Sequence, residues 1–291
     1  MTNVATVICA DFGSATHRSR SRMQHGPSVV TGLLGTVGRM PPSTRLFTDR
    51  RRANSFGGGA AQRYDAHWPG YPAPLVDDLL ATGAKTALDV GAGTGRVARQ
   101  LADQGLQVLA VEPDERMAEF ARAKGIETEI ATFETWSGRP AIRSVTFAAS
   151  FHWVDPAVAL PKVTEILGER GRLALLWNRL RAERPPVGIE MDDIYRDYLE
   201  VSAYSRTNDT DGVTGALKAA GFAVALTEYP RTLQFSGEQW IELLFTYSSF
   251  LTLDEEAGVE LRRRLAERIG SRELTVVGDS LAIVATPVGL R

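Results

Sequence analysis

Leu88-Asp89-Val90 runs directly into Gly91-Ala92-Gly93-Thr94-Gly95, and a second apolar run ends in Glu112, 21 residues after Gly91. These residue types at this spacing suit the gripping of a small ligand that carries a sugar and a charged tail. Glycines at a strand-to-helix turn let the backbone bend sharply and approach a ligand without a Cβ in the way. The helix that starts there points unpaired N–H groups into the crevice. A carboxylate at Glu112 can accept from both hydroxyls of a ribose. His152 is the histidine beside the expected crevice, and its ordinary pKa suits a general base. His67 is a second candidate, whereas His17 and His25 stand in a polar leader.

Two ligand classes use such a turn. A dinucleotide site wants Gly-x-Gly-x-x-Gly, with the third glycine packing the helix below a pyrophosphate. Here the spacing is Gly-x-Gly-x-Gly, and Asp89 stands two residues ahead of it. A carboxylate there repels a pyrophosphate and suits the ammonium of an amino-acid moiety. Both features favour S-adenosylmethionine over a nicotinamide dinucleotide.

The elements that must position these residues can be read on either side of the turn. Thr86–Val90, Gln107–Val111, Glu127–Ile130, Ser144–Ala149 and Gly171–Asn178 read as strands. Helical patterns over 73–80, 96–104 and 114–124, and one opening at Asp155-Pro156 and closed by Gly168, separate them. Short strands alternating with helices predict an α/β fold: a Rossmann-like, mostly parallel sheet of seven strands, helices on both faces. After Asn178 the alternation breaks. Arg179–Gly188 reads as a charged loop, 189–201 and 213–220 as helices, and Phe222–Tyr229 as a strand. Ser236-x-x-Gln239 and Thr252-x-x-Glu255 have capping-box spacing, which predicts helices over about 237–250 and 253–269 before a last strand at Ser280–Thr286. That pair reads as a helical cap inserted late in the chain, over the open end of the sheet.

Composition bounds the function. The 291 residues carry a net charge of −2, but the eight arginines and two aspartates of residues 1–52 leave 25 basic and 33 acidic residues for the rest. An acidic body argues against a nucleic-acid substrate, and the basic leader has few aromatics for stacking bases. The single cysteine, Cys9, leaves no internal disulfide and no cysteine-cluster zinc site, and fits a reducing, cytoplasmic setting. No metal site is expected. No apolar run approaches the roughly 18–20 residues of a membrane-spanning helix.

Residues from about 54 to 286 resemble the class I S-adenosylmethionine-dependent methyltransferases of the small-molecule, type 11 kind, near the trans-aconitate methyltransferase group. The resemblance rests on Ala87–Arg96, Ala110–Asp114 (AVEPD), Thr132–Trp136 (TFETW), Ser150–Pro156 (SFHWVDP) and Phe245–Leu253 (FTYSSFLTL). It implies that Asp89, Gly91, Ala92, Gly93, Thr94 and Gly95 hold the methionine end and Glu112 the ribose. Pro113 and Met117 would pack on the adenine, Phe133 and Glu134 border the base, and Ser150 and Phe151 close the pocket. Tyr64 joins this set from the N-terminal segment Tyr64–Pro72 (YDAHWPGYP), in which Trp68 stands where relatives often carry arginine.

The expected function is methyl transfer to a small organic acceptor, with oxygen as the expected site and His152 as the catalytic residue. Trp153, Trp177, Asn178, Phe245 and Tyr247 are the candidates to line the acceptor pocket. Two readings stay open beside it: an idle S-adenosylmethionine-binding protein with a ligand- or partner-binding cap, and an NAD(P)-dependent oxidoreductase. The expected organisation is a disordered leader over 1–52 (Met40 being an alternative start), a cofactor-binding core over 53–180, and cap helices with the terminal strands over 181–291. A monomer or homodimer is expected.

Overall fold

Strands buried on both faces need apolar side chains on both, and Leu173-Ala174-Leu175-Leu176-Trp177 is such a run, every residue of it buried. The computed structural model describes residues 54–288 apart from 57–58, 82, 139–141, 185–187 and 200–208, together with Asp49 and Arg51. Apart from those two residues, the expectations for the 1–52 leader and for Met40 lie outside the described residues.

Helices Ala60–His67 (α1) and Ala73–Leu80 (α2) precede the first strand, Thr86–Val90 (β1). Arg96–Asp103 (α3) leads to Gln107–Val111 (β2), and Glu115–Ala123 (α4) to the short Glu127–Glu129 (β3). Ser144–Ala148 (β4), Pro156–Leu167 (α5) and Arg172–Ala182 (β5) follow. Then come Asp192–Tyr198 (α6), Thr210–Ala219 (α7), Phe222–Ser236 (β6), Gly237–Leu244 (α8), Ser248–Leu251 (α9), Glu255–Ile269 (α10) and Glu273–Pro287 (β7). The sheet runs β3-β2-β1-β4-β5-β7-β6, with β7 the one antiparallel strand. The seven-stranded, mostly parallel α/β sheet is therefore as expected.

Side chains alternate across each strand, so one sequence feeds two cores. Leu88, Val90, Val145, Phe147, Leu173 and Leu175 face Leu160, Val163 and Leu167 of α5 and Leu217 of α7. Ala87, Ala174 and Leu176 face Leu75, Val76 and Leu79 of α2 and Val97 and Leu101 of α3. The helix starts follow their caps: the Asp114 side chain accepts from Arg116 N, and Asp155 from Ala157 N with Pro156 in the first turn.

The second half departs from the sequence reading. β5 continues to Ala182, through what reads as a charged loop, because Arg179–Ala182 pairs with Asp279–Val276 of β7. β6 and β7 are 15 residues each and pair from Phe222↔Pro287 to Ser236↔Glu273, well past the expected 222–229 and 280–286. These long arms carry the cap, α8 to α10, between them. Ser236 and Gln239 form the expected reciprocal capping box. The second box does not form: Asp254 is the cap of α10 and accepts from Ala257 N, while the Thr252 hydroxyl turns back to Ser248 O. The expected 237–250 helix breaks after Leu244, and within 189–199 the helix covers Asp192–Tyr198. The cap has its own core, in which Leu243, Leu261, Leu265 and Ile269 are fully buried and Trp68, just past α1, packs with them. Among the described residues no helix is long and apolar enough to cross a membrane.

Candidate active site

The crevice opens where the sheet must leave one: at the carboxyl ends of the parallel strands, where β1 and β4 continue in opposite directions across the sheet. Gly91 and Gly95 hold the turn there. Both have left-handed φ values, 62° and 75°. A Cβ on Gly91 would lie 2.6 Å from Ser150 Cβ, and one on Gly95 2.7 Å from Ala121 Cβ. The first contact brings the turn against the end of β4, and the second seats α3 on α4.

Glu112 ends β2 with its carboxylate folded back on this turn. Oε2 accepts from Gly93 N at 2.7 Å and Oε1 from Asp114 N at 2.9 Å. Burial pushes its pKa up to about 7, against the pull of those two N–H groups. Each oxygen has a second lone pair, so two ligand hydroxyls can still be accepted. Gly93 lines the same space, and nothing lies within 4 Å of a Cβ built on it.

On the other side of the crevice, Ala149 adopts φ 53°, the positive φ of a non-glycine residue among the described ones. This costs about 1–2 kcal/mol and turns the chain sharply out of β4. The turn lets Ser150 Oγ donate to Val90 O and sends a single 3-10 turn, Phe151–Trp153, across the mouth. Strain of this kind is concentrated where a site needs it. The loop with Phe133 and Glu134 is pinned by Lys162, whose Nζ donates to Phe133 O at 2.6 Å and to Trp136 O.

Fourteen of the expected residues share one cavity of about 660 Å³, a size suited to small-molecule ligands. They are Tyr64, Gly91, Gly93, Glu112, Pro113, Met117, Phe133, Glu134, Ser150, His152, Trp153, Trp177, Asn178 and Tyr247. Tyr64 has its phenol pushed up to about 12, mainly by burial, and so remains a neutral hydrogen-bonding group. His152 stands on the wall with its ring 4.7 Å from that of Trp153.

Six others do not line the cavity. Asp89 is fully buried behind the turn, because its side chain shares the strand face of Ala87, which α2 and α3 cover. Thr94 is also fully buried, Ala92 packs toward Ala98 and Ala121, and Gly95 lies against Ala121. Phe151 turns into the core, its ring 5.3 Å from Phe147. Phe245 is likewise in the cap core, under the Arg262 guanidinium. Asn178 reaches the wall, but its amide is engaged: Nδ2 donates to Pro69 O at 3.1 Å, and Oδ1 accepts from Ser280 Oγ at 2.6 Å.

Sequence reading missed Phe56, Trp68, Arg179, Thr246, Ser248 and Ser249 on the same wall. Trp68 Nε1 donates to Thr246 Oγ1 at 2.7 Å, and the Trp68 and Tyr247 rings meet edge to face at 5.3 Å. The residue after α1 is thereby fastened to the end of α8, over the cavity. No local signal could pair residues 178 positions apart, although the break in helical pattern at Phe245–Ser248 marks one partner. Trp68→Phe keeps most of the ring and removes the donor, so it should cost about 1 kcal/mol and lower the melting temperature by a few degrees. An unchanged melting curve would show that the fastening contributes nothing.

Among known proteins, a family model described as a methyltransferase domain matches residues 88–175, the stretch from β1 to β5 that contains the glycine turn, Glu112 and His152. An uncharacterized methyltransferase of Mycobacterium tuberculosis is 38% identical over 137 residues, 46% of this chain and 56% of that protein. The chain thus spans little more than half the length of the curated relatives it matches first. In three dimensions it resembles a protein described as a type II methyltransferase from Anaeromyxobacter dehalogenans, at TM-score 0.53 and 21% identity over 76% of this chain and 98% of that one. It also resembles the Haemonchus contortus phosphoethanolamine N-methyltransferase 2, at TM-score 0.50 and 16% identity over 86% of this chain and 61% of that one. Residues 88–175 thus match a methyltransferase-domain model, and the chain shares the α/β fold of these methyltransferase structures.

Proposed function

We propose that this protein transfers a methyl group from S-adenosylmethionine to a small organic acceptor, at oxygen. The observation that carries the reading is Glu112, held by Gly93 N and Asp114 N so that each carboxylate oxygen keeps a lone pair toward the cavity. The residues present fit the cofactor. Glu112 would hold the ribose, Pro113, Met117 and Phe133 would flank the adenine, and the open space above Gly93 would receive the amino-acid end. The cofactor's contribution is an electrophilic methyl group on a sulfonium.

What remains for the chain is alignment, exclusion of water and, for a hydroxyl acceptor, removal of a proton. The Trp68–Thr246 fastening and the aromatic rings of Tyr64, Trp68 and Tyr247 stand on the cavity wall, where they would narrow access of water to a bound cofactor. An acceptor hydroxyl must lose its proton as its oxygen gains the methyl group. His152 is the imidazole on this wall that can take it.

The oxidoreductase alternative is tested by calorimetric titration: S-adenosylhomocysteine should bind in the micromolar range and NAD should not. Tight NAD binding without S-adenosylhomocysteine binding would reverse the assignment. The idle-protein alternative is tested by transfer of labelled methyl to a broad set of hydroxyl acceptors. His152→Ala should lower turnover at least tenfold while cofactor affinity is unchanged. Turnover at the wild-type rate would remove His152 as the base.

A further inference from the structure

The charges on the cavity wall select the acceptor more narrowly than the fold does. Among the described residues, the charged groups on the wall are Glu112, Asp114, Glu115, Arg116, Glu134 and Arg179, four carboxylates against two guanidinium groups. Both cations are already engaged. Arg116 donates to both oxygens of Asp114, Nε to Oδ1 at 2.9 Å and Nη2 to Oδ2 at 2.5 Å. Arg179, 9% exposed, gives Nε to Asp279 Oδ1 at 2.6 Å and Nη2 to Glu228 Oε1 at 2.6 Å. Each cation on this wall among the described residues is paired with a carboxylate, and the surplus of carboxylates opposes an anionic acceptor.

What the wall does offer is flat aromatic surface and, within it, a buried indole N–H. Phe56, Tyr64, Trp68, Trp153, Trp177 and Tyr247 all line it. Trp177, 7% exposed at the end of the parallel part of β5, has its indole Nε1 buried with no hydrogen-bond partner among the described residues. A buried N–H of this kind is costly unless a ligand supplies the acceptor.

We infer that the acceptor is an uncharged, flat molecule, one of whose oxygens accepts a hydrogen bond from the Trp177 indole N–H. The inference rests on the methyl-transfer reading of the same site and narrows its acceptor class. It separates this pocket from one built for di- or tricarboxylates, which would need a free arginine or lysine on the wall.

The test uses the full-length protein saturated with S-adenosylhomocysteine and a matched pair of probes, 2-naphthol and 2-naphthoate, at pH 7. Failure of S-adenosylhomocysteine to bind would sink the methyl-transfer reading itself and is seen before either probe is added. With the cofactor product in place, 2-naphthol should bind at least tenfold more tightly than 2-naphthoate. Trp177→Phe should weaken 2-naphthol three- to tenfold, the range expected for one neutral hydrogen bond, and leave S-adenosylhomocysteine affinity unchanged. Equal or tighter binding of 2-naphthoate overturns the inference, as does binding of neither probe. A loss on Trp177→Phe that is the same for naphthalene, which has no oxygen, reduces Trp177 to packing. If that variant does not fold, the wild-type indole N–H resonance of Trp177 decides. It should shift downfield with 2-naphthol and not with naphthalene, and identical shifts refute the hydrogen bond.

Discussion

Glu112→Ala should weaken binding of S-adenosylhomocysteine by about two to four orders of magnitude while the protein remains folded. The size follows from the geometry. A carboxylate that accepts from two ribose hydroxyls makes two charge-assisted hydrogen bonds, each worth about 1.5–3 kcal/mol. A tenfold loss of affinity corresponds to about 1.4 kcal/mol. The variant also releases Gly93 N and Asp114 N, but both border the cavity, where water can replace the lost acceptor. Glu112→Gln should be almost as damaging. Its amide can offer an oxygen to only one of those two N–H groups and must turn its own N–H toward the other. Calorimetric titration with S-adenosylhomocysteine measures the effect, and an affinity within threefold of wild type would remove Glu112 from the ribose.

Glu112 was legible because everything that positions it is local. The second strand, the turn and the spacing between them lie within 25 residues, and each is signalled by periodicity or by glycine. The same holds for His152 and Trp153, which stand just before the Asp155-Pro156 helix start. The acceptor side was not legible for the opposite reason. Asn178 reads as a candidate and Arg179 as part of a loop, yet their partners, Ser280, Asp279 and Glu228, arrive from β7 and β6 about 50 to 100 residues later. The length of β5, β6 and β7 was underread because Arg179–Ala182 and Glu228–Gln234 mix charges with apolar residues. Their strand character comes from mutual pairing, which no local window contains. Asp89 is a third case. Strand alternation places its side chain with that of Ala87, on the face covered by α2 and α3, and that face points away from the crevice.

Burial of Asp89 sets a pH dependence that this placement makes measurable. Its carboxyl is fully buried, and its pKa is raised from the ordinary 3.8 to about 7, first by burial and further by the Glu112 charge, against a backbone interaction from Ala98. A carboxyl whose folded-state pKa lies above its unfolded value binds its proton more tightly in the folded protein. Its contribution to stability is therefore complete below about pH 4 and is lost as pH rises through 7. At 1.36 kcal/mol per unit, the ligand-free protein should lose on the order of 3 kcal/mol from this one group between those limits. Asp89→Asn keeps the shape and removes the ionisation. The variant should show a much smaller fall in melting temperature than wild type between pH 5 and 7.5, so that the difference between the two proteins changes by several degrees across that range. Glu112, raised in the same direction, is present in both proteins, so its share of the pH dependence largely drops out of the comparison. Parallel melting curves across this range would mean that Asp89 is ionised at no cost in the folded state. The carboxylate would then have to be reached by water or by a donor, and its place behind the turn would no longer account for it.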